Sequence, residues 1–372
     1  MRFEDIKGLE VVKKQLVNSI KNDQIAHAQL FVGKPGSPAL PMALAYVNYL
    51  NCENRQENDA CGVCASCSKN QKFIHPDLHF VFPVSATKDV KSDEALSQRF
   101  MKEWRQFLTD NPFGDLDIWS EYYGGENKQA NISKQESREI IKGLSLKSFE
   151  GGYKAMIIWL PEYMHPNAAN GILKILEEPP EKTLFILVSS NSQRLLTTIT
   201  SRTQRVNIPL FADEDIQSIL IEKNGMTEQQ AAQIANLADG DLNTALRIAT
   251  NVEDDSHDFF VNWMRNCHSR NFTELVNMAD TFHSSNKLSQ RSLLKYALNI
   301  FRETLVYQNA PEINRVNGNI LGFIQKFSGS INEDKVSSMT TLIDEAYFHL
   351  ERNGSPKMIF LDLSLHLAAE IR

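Results

Sequence analysis

The sequence predicts an α/β plus all-α chain: a doubly wound α/β domain ending near Leu210, then helices to the last residue. Three observations carry this. Five short runs rich in Val, Ile and Phe alternate with helical patterns up to that point. Strand signals then stop. Beyond them Leu, Phe, Ile and Met recur at three- and four-residue spacings. A chain of 372 residues is long enough for two or three domains, each with its own core.

The strand runs are 28–32, 78–84, 155–160, 184–189 and 205–210. Their length and composition suit strands of a parallel sheet covered on both faces. Between them, Ser133-x-x-Glu136 reads as a capping box ahead of Ile140, Ile141 and Leu144. Pro166 suits the first turn of a helix carrying Ala169, Ile172, Leu173 and Leu176 on one face, and Pro179-Pro180 must end it. Residues 85–130 break the rhythm. They alternate charged and aromatic residues (Trp104, Trp119, Tyr122, Tyr123), reach Gly124-Gly125, and read as an insertion with one amphipathic helix around 96–108. Residues 211 to about 250 show three short helical patterns, with Thr227-x-x-Gln230 as a second capping box and Gly240 as a break. The apolar stripes from Asp254 onward read as helix core rather than as a cofactor pocket.

Composition narrows the function classes. Hydrophobic content of 42% and charged content of 23% are those of an ordinary globular protein. No apolar stretch approaches the roughly 20 residues of a bilayer span. The start, MRFEDIKGLEVV, has no signal-peptide core, so the expectation is a cytoplasmic protein without a membrane partner. A net charge of −7 argues against a protein that coats nucleic acid by itself, because phosphate neutralisation needs clustered Lys and Arg.

Four of the five cysteines, Cys52, Cys61, Cys64 and Cys67, form C-x8-C-x2-C-x2-C. In a reducing cytosol so tight a cluster points to a metal rather than to two disulfides. Four thiolates make a closed tetrahedral zinc site with no open position, hence a structural Zn2+. Free thiols and an iron–sulfur cluster also stay compatible with the spacing. Gly62 and Ser66 are small enough to let the chain turn around an ion, and Cys267, alone, reads as a core residue.

Directly after the first strand comes GKPGSPAL, where a phosphate-binding loop would read G-x-x-x-x-G-K-[ST]. Gly33 and Gly36 are present. Pro38, Ala39 and Leu40 stand where glycine, lysine and a hydroxyl residue belong. The residues that would reach the outer phosphates and hold magnesium are missing.

Taken in order, AQLFVGKPG, the four-cysteine cluster, HPD at 75–77, AANGILKILEEPP at 168–180 and TITSRT at 198–203 resemble the delta-prime subunits of bacterial DNA polymerase III clamp loaders, a family of the AAA+ superfamily. The resemblance covers most of residues 1–250 and extends less firmly into the helical third. It implies an AAA+ P-loop core (1–210) with the cysteine module at 52–67 and the insertion at 85–130, a small helical lid (211–252) and a helical collar (253–372) for oligomerisation. In such a family the acidic pair after the third strand would fall at Trp159 and Leu160, with Glu162 a solvated helix-entry residue. A phosphate-sensing arginine would fall at Asn243. ATP is therefore not expected to bind productively. Ser201-Arg202-Thr203 resembles the family's S-R-C motif, whose arginine enters the ATP site of an adjacent motor subunit; Arg194 and Arg205 read as structural or surface residues. The implied partners are gamma/tau motor and delta subunits, with the sliding clamp and primed DNA reached through the complex. The implied role is a stator-like part of the DNA-directed DNA polymerase holoenzyme without ATPase of its own.

Two other classes fit parts of the sequence. An active AAA+ ATPase of replication or repair fits the fold but not Pro38, Ala39, Leu40, Trp159 and Leu160. A zinc-module nucleic-acid-binding protein fits the cysteines, yet Glu53, Glu57 and Asp59 beside Arg55 and Lys69 leave that window without a basic face.

Overall fold

The structure is a computed structural model, and it describes residues 1–125, 128–145, 148–249, 254–285, 287–311, 318–329, 331–352 and 354–371. Helix α1 (Glu10–Lys21) precedes strand β1 (Ala28–Val32), followed by α2 (Ala39–Asn51), α3 (Ala65–Gln71) and β2 (Leu78–Val81). Then come α4 (Met101–Asp110), α5 (Leu116–Tyr123), α6 (Lys134–Ser145) and β3 (Lys154–Trp159). The short helices α7 (Pro166–Gly171) and α8 (Leu173–Glu177) lead to β4 (Thr183–Ser189), α9 (Thr197–Thr200) and β5 (Gln204–Asn207).

All five expected strands form one parallel sheet in the order β2-β3-β4-β1-β5, the doubly wound α/β domain that the sequence predicts. Every residue of β3 and β4 is buried, which is why these strands read as continuous apolar runs instead of alternating ones. The second strand is shorter than expected. Pro83 has no N–H for the ladder, and past it only Val84 pairs, antiparallel, with Asn131.

The helix after Pro166 begins as expected but divides at Ile172. A Cβ on Gly171 would lie 2.9 Å from Ser137 Oγ, so glycine there permits the close approach of α6 and α7. The insertion holds two helices rather than one. Asp115 caps α5 through a bond from Ile118 N–H at 3.1 Å, and Gly124, at φ +73°, closes it in the left-handed region. Its tryptophans build an aromatic core. Trp104 stacks on Phe82 at 4.1 Å and meets Trp119 edge-on at 5.1 Å, while Trp119 Nε1 donates to Pro83 O at 2.8 Å.

Glu136 makes a contact that its capping-box reading did not foresee: buried, it accepts from Ser97 N–H at 3.1 Å. Burial pushes its carboxyl up to about 7. The folded state thus holds this proton more tightly than the unfolded chain. The benefit is full below the ordinary carboxylate range and fades as pH rises through 7, by roughly 3 kcal/mol. Urea unfolding at pH 5 and pH 8 should show that Glu136→Gln removes much of this loss; an unchanged pH slope would contradict the assignment.

Backbone contacts divide the chain into two compact units, Met1–Asp215 with Gly240–Asn243, and Ile216–Asp239 with Thr244–Arg372. The three short helices expected after the sheet are α10 (Asp213–Asn224), α11 (Glu228–Ala238) and α12 (Leu242–Ala249), and the Thr227–Gln230 capping box is formed. The remaining helices are α13 (Asp254–Ser269), α14 (Phe272–Ser284), α15 (Lys287–Asn309), α16 (Gly318–Ser328), α17 (Glu333–Glu351) and α18 (Pro356–Glu370). They close on Phe260, Trp263, Phe301, Ile343 and Phe360. Cys267 lies in that core as expected, and burial pushes its thiol up to about 12. The lid–collar boundary expected at 252–253 lies outside the described residues. Among the described residues no helix is long and apolar enough to cross a membrane.

Candidate functional site

Strand β1, the loop 33–38 and α2 keep the strand–loop–helix course of a phosphate-binding loop, but two of the loop's N–H groups already have backbone partners. Ser37 N–H closes a turn onto Lys34 O at 3.0 Å, and Gly33 N–H bonds Ser189 O at 3.1 Å. Pro38, the residue before α2, has no N–H at all. Ala39 and Leu40 are buried in the first turn of α2. Gly36 sits at φ +82°, and a Cβ there would come within 2.1 Å of Asp241 Oδ1, so only glycine fits.

The other positions that the resemblance would give to a phosphate site are also committed to packing. Trp159 and Leu160 are buried, with the Trp159 ring 5.1 Å from Trp104 and 5.7 Å from Phe107. Asn243 is buried and donates through Nδ2 to Phe113 O at 2.8 Å. Glu162 corrects an expectation. Instead of a solvated residue it ties down the end of β4, accepting through Oε1 from Ser190 N–H at 2.8 Å, Ser190 Oγ at 2.7 Å and Asn191 N–H at 3.0 Å.

The four cysteines meet between α2 and α3. Their sulfurs all lie within 4.8 Å of one another, and Cys61 Sγ is 3.9 Å from Cys67 Sγ. A metal–sulfur bond of about 2.3 Å implies a tetrahedral edge of ~3.8 Å, so the cage fits one ion and is too tight for a cluster of several irons. Backbone N–H groups already point at the sulfurs: Cys61 N to Cys52 Sγ at 3.3 Å, Cys64 N to Cys61 Sγ and Cys67 N to Cys64 Sγ at 3.4 Å each. Bonds from the Val63 and Cys64 N–H groups draw the Cys61 thiol down to about 6, while burial pushes Cys52 and Cys67 up. The module also anchors the start of the chain. Asp59 accepts from Phe3 N–H at 3.1 Å and Glu4 N–H at 2.8 Å.

Ser201, Arg202 and Thr203 follow α9. The hydroxyls of Ser201 and Thr203 fold back onto carbonyls of that short helix, at Thr198 O and Ile199 O. The Arg202 guanidinium donates through Nη1 to Thr198 O at 2.9 Å and pairs through Nε and Nη2 with Glu177. Reasoning from the sequence missed Glu177, although it stands inside the EEPP phrase. It also missed Phe113, whose backbone carbonyl leaves no signature. Arg205, read as structural or surface, is exposed and bonded through Nε to Asn207 Oδ1 at 2.7 Å.

The pattern of the family described as DNA polymerase III, delta subunit, matches residues 8–212, more than half of the chain. The chain belongs to this DNA polymerase III family. Its relatives include "DNA polymerase III subunit delta'" of Bacillus subtilis (strain 168), 26% identical over 96% of this chain and 95% of that one. "DNA polymerase III subunit tau" of the same organism is 22% identical over 96% of this chain and 60% of that one. Among solved structures, a DNA polymerase III gamma subunit-related protein of Thermotoga maritima aligns over 97% of this chain and 99% of that one, at 15% identity and a TM-score of 0.44.

Proposed function

We propose that this chain is a non-catalytic, delta-prime-type subunit of the DNA polymerase III clamp loader. It assembles with gamma/tau motor and delta subunits and helps place the sliding clamp on primed DNA in the cytoplasm. The observation that carries the reading is the state of the nucleotide loop. Pro38, the buried Ala39 and Leu40, and Trp159 inside an aromatic core occupy the positions that would otherwise hold phosphate and magnesium. Without a lysine and a metal-holding acid, charge on a transferring phosphoryl group has no stabiliser in this chain. Its contribution is made in trans: Arg202 serves as an arginine finger for a neighbouring motor site, and Ser201 and Thr203 fix its loop. Residues 1–210 act as AAA+ core, 211–252 as lid and 253–372 as collar. The four-cysteine cage holds one structural Zn2+, since four thiolates at tetrahedral spacing leave no open position.

Equilibrium titration of the isolated chain with a fluorescent ATP analogue tests the central point. No magnesium-dependent binding in the micromolar range is expected, and none of the hydrolysis that an active ATPase would show. Micromolar, magnesium-dependent binding would sink the reading.

A further inference from the structure

Arg202 does not project freely from its loop. Its Nε and Nη2 share one oxygen of Glu177, and Nη1 is held by Thr198 O at 2.9 Å and Ser201 Oγ at 3.4 Å. Both partners stand on a fixed base. Glu177 is the last residue of α8, next to the fully buried Leu176, whose carbonyl lies 3.0 Å from His27 Nε2. Arg202 follows Ile199, which packs in the same core cluster as Leu176. The side chains themselves stay partly open to solvent, 33% for Arg202 and 47% for Glu177.

A carboxylate offers a guanidinium the same anionic oxygens as a phosphate, so Glu177 occupies the Nε/Nη2 edge that a phosphate would take. An exposed pair of this kind is weak and screened by salt. A phosphate carrying more charge in a water-poor subunit interface can therefore displace it, whereas water cannot compete as well. We propose that Glu177 is a positioning residue for Arg202: it parks the guanidinium in cis and yields it only to a nucleotide phosphate presented by the adjoining subunit. This inference rests on the arginine-finger reading above. Its consequence is a low basal rate of ATP hydrolysis, since the finger is withheld until DNA and clamp close the interface.

The test uses the complex reconstituted with motor and delta subunits, and ATP as the probe. Glu177→Gln keeps the shape of the side chain and removes its charge. It should raise hydrolysis without DNA about two- to five-fold, leave the DNA- and clamp-stimulated rate within about two-fold, and leave the melting temperature of the chain unchanged. The ratio of mutant to wild-type basal rates should fall toward one as salt rises, because screening loosens the wild-type pair. In an Arg202→Ala background the Glu177 change should do nothing. A basal rate that Glu177→Gln does not raise, while Arg202→Ala still lowers stimulated hydrolysis and clamp loading, would overturn the role of Glu177 alone. Loss of any effect from Arg202→Ala would overturn the finger and this inference together.

Discussion

Arg202→Ala is expected to leave the chain folded and the complex assembled while clamp- and DNA-stimulated hydrolysis collapses at one neighbouring motor site. Arginine fingers are worth roughly 10³–10⁵ in rate where they act, because the guanidinium meets charge that builds up on the transferring phosphoryl group. Folding should not suffer, since the side chain is partly exposed and the ion pair it would lose is worth about 1 kcal/mol at most. Total ATPase should fall less than the clamp-loading rate, as other motor sites keep their own fingers. Arg202→Lys should rescue poorly, because an ammonium keeps the charge but not the planar fork that reaches two oxygens. Steady-state ATPase and clamp-loading assays on the assembled complex decide it: a mutant that loads clamps at the wild-type rate makes Arg202 a surface residue.

Why some features were legible in the sequence and others were not follows from their physics. Strands β3 and β4 are covered on both faces, so burial wrote itself into unbroken apolar runs at the expected places. The cysteine cage was legible because ligand type and close spacing both belong to one short window. The insertion was half legible. Its first helix was expected around 96–108, but the second, α5, lies between signals only about two turns apart, Asp115 and Gly124, and had no reading of its own. Contacts made by backbone or across long separations were invisible. Asn243 meets the carbonyl of Phe113, and Glu136 meets the amide of Ser97, neither of which any residue type demands. Glu162 was misjudged for a related reason: a carboxylate near a helix start looks solvated until the end of β4 arrives with three donors. The pairing of Glu177 with Arg202 joins two phrases that had been read separately.

Cys64→Ser should strip the cage of its metal without unfolding the sheet domain. Protein expressed without added metal is expected to carry about one zinc equivalent per chain, and the serine variant well under half of that. The substitution isolates the ligand. Cys64 also caps α3 by accepting from Cys67 N–H, and a serine oxygen can keep that cap, so what disappears is the thiolate. Structural zinc supplies on the order of 10 kcal/mol to small domains that fold around it. Here that energy would act locally, because α2 is packed into the sheet domain along its length: Met42, Ala43, Ala45, Tyr46 and Val47 are fully buried. Loss should therefore appear first in residues 52–71, and then in the chain start that Asp59 holds by the Phe3 and Glu4 amides. Hydrogen exchange read by mass spectrometry should show these two segments losing protection together while β1, β3 and β4 keep theirs. Wild-type protein that is free of zinc yet fully protected over 1–6 and 52–71 would rule the metal out as the element that holds this module.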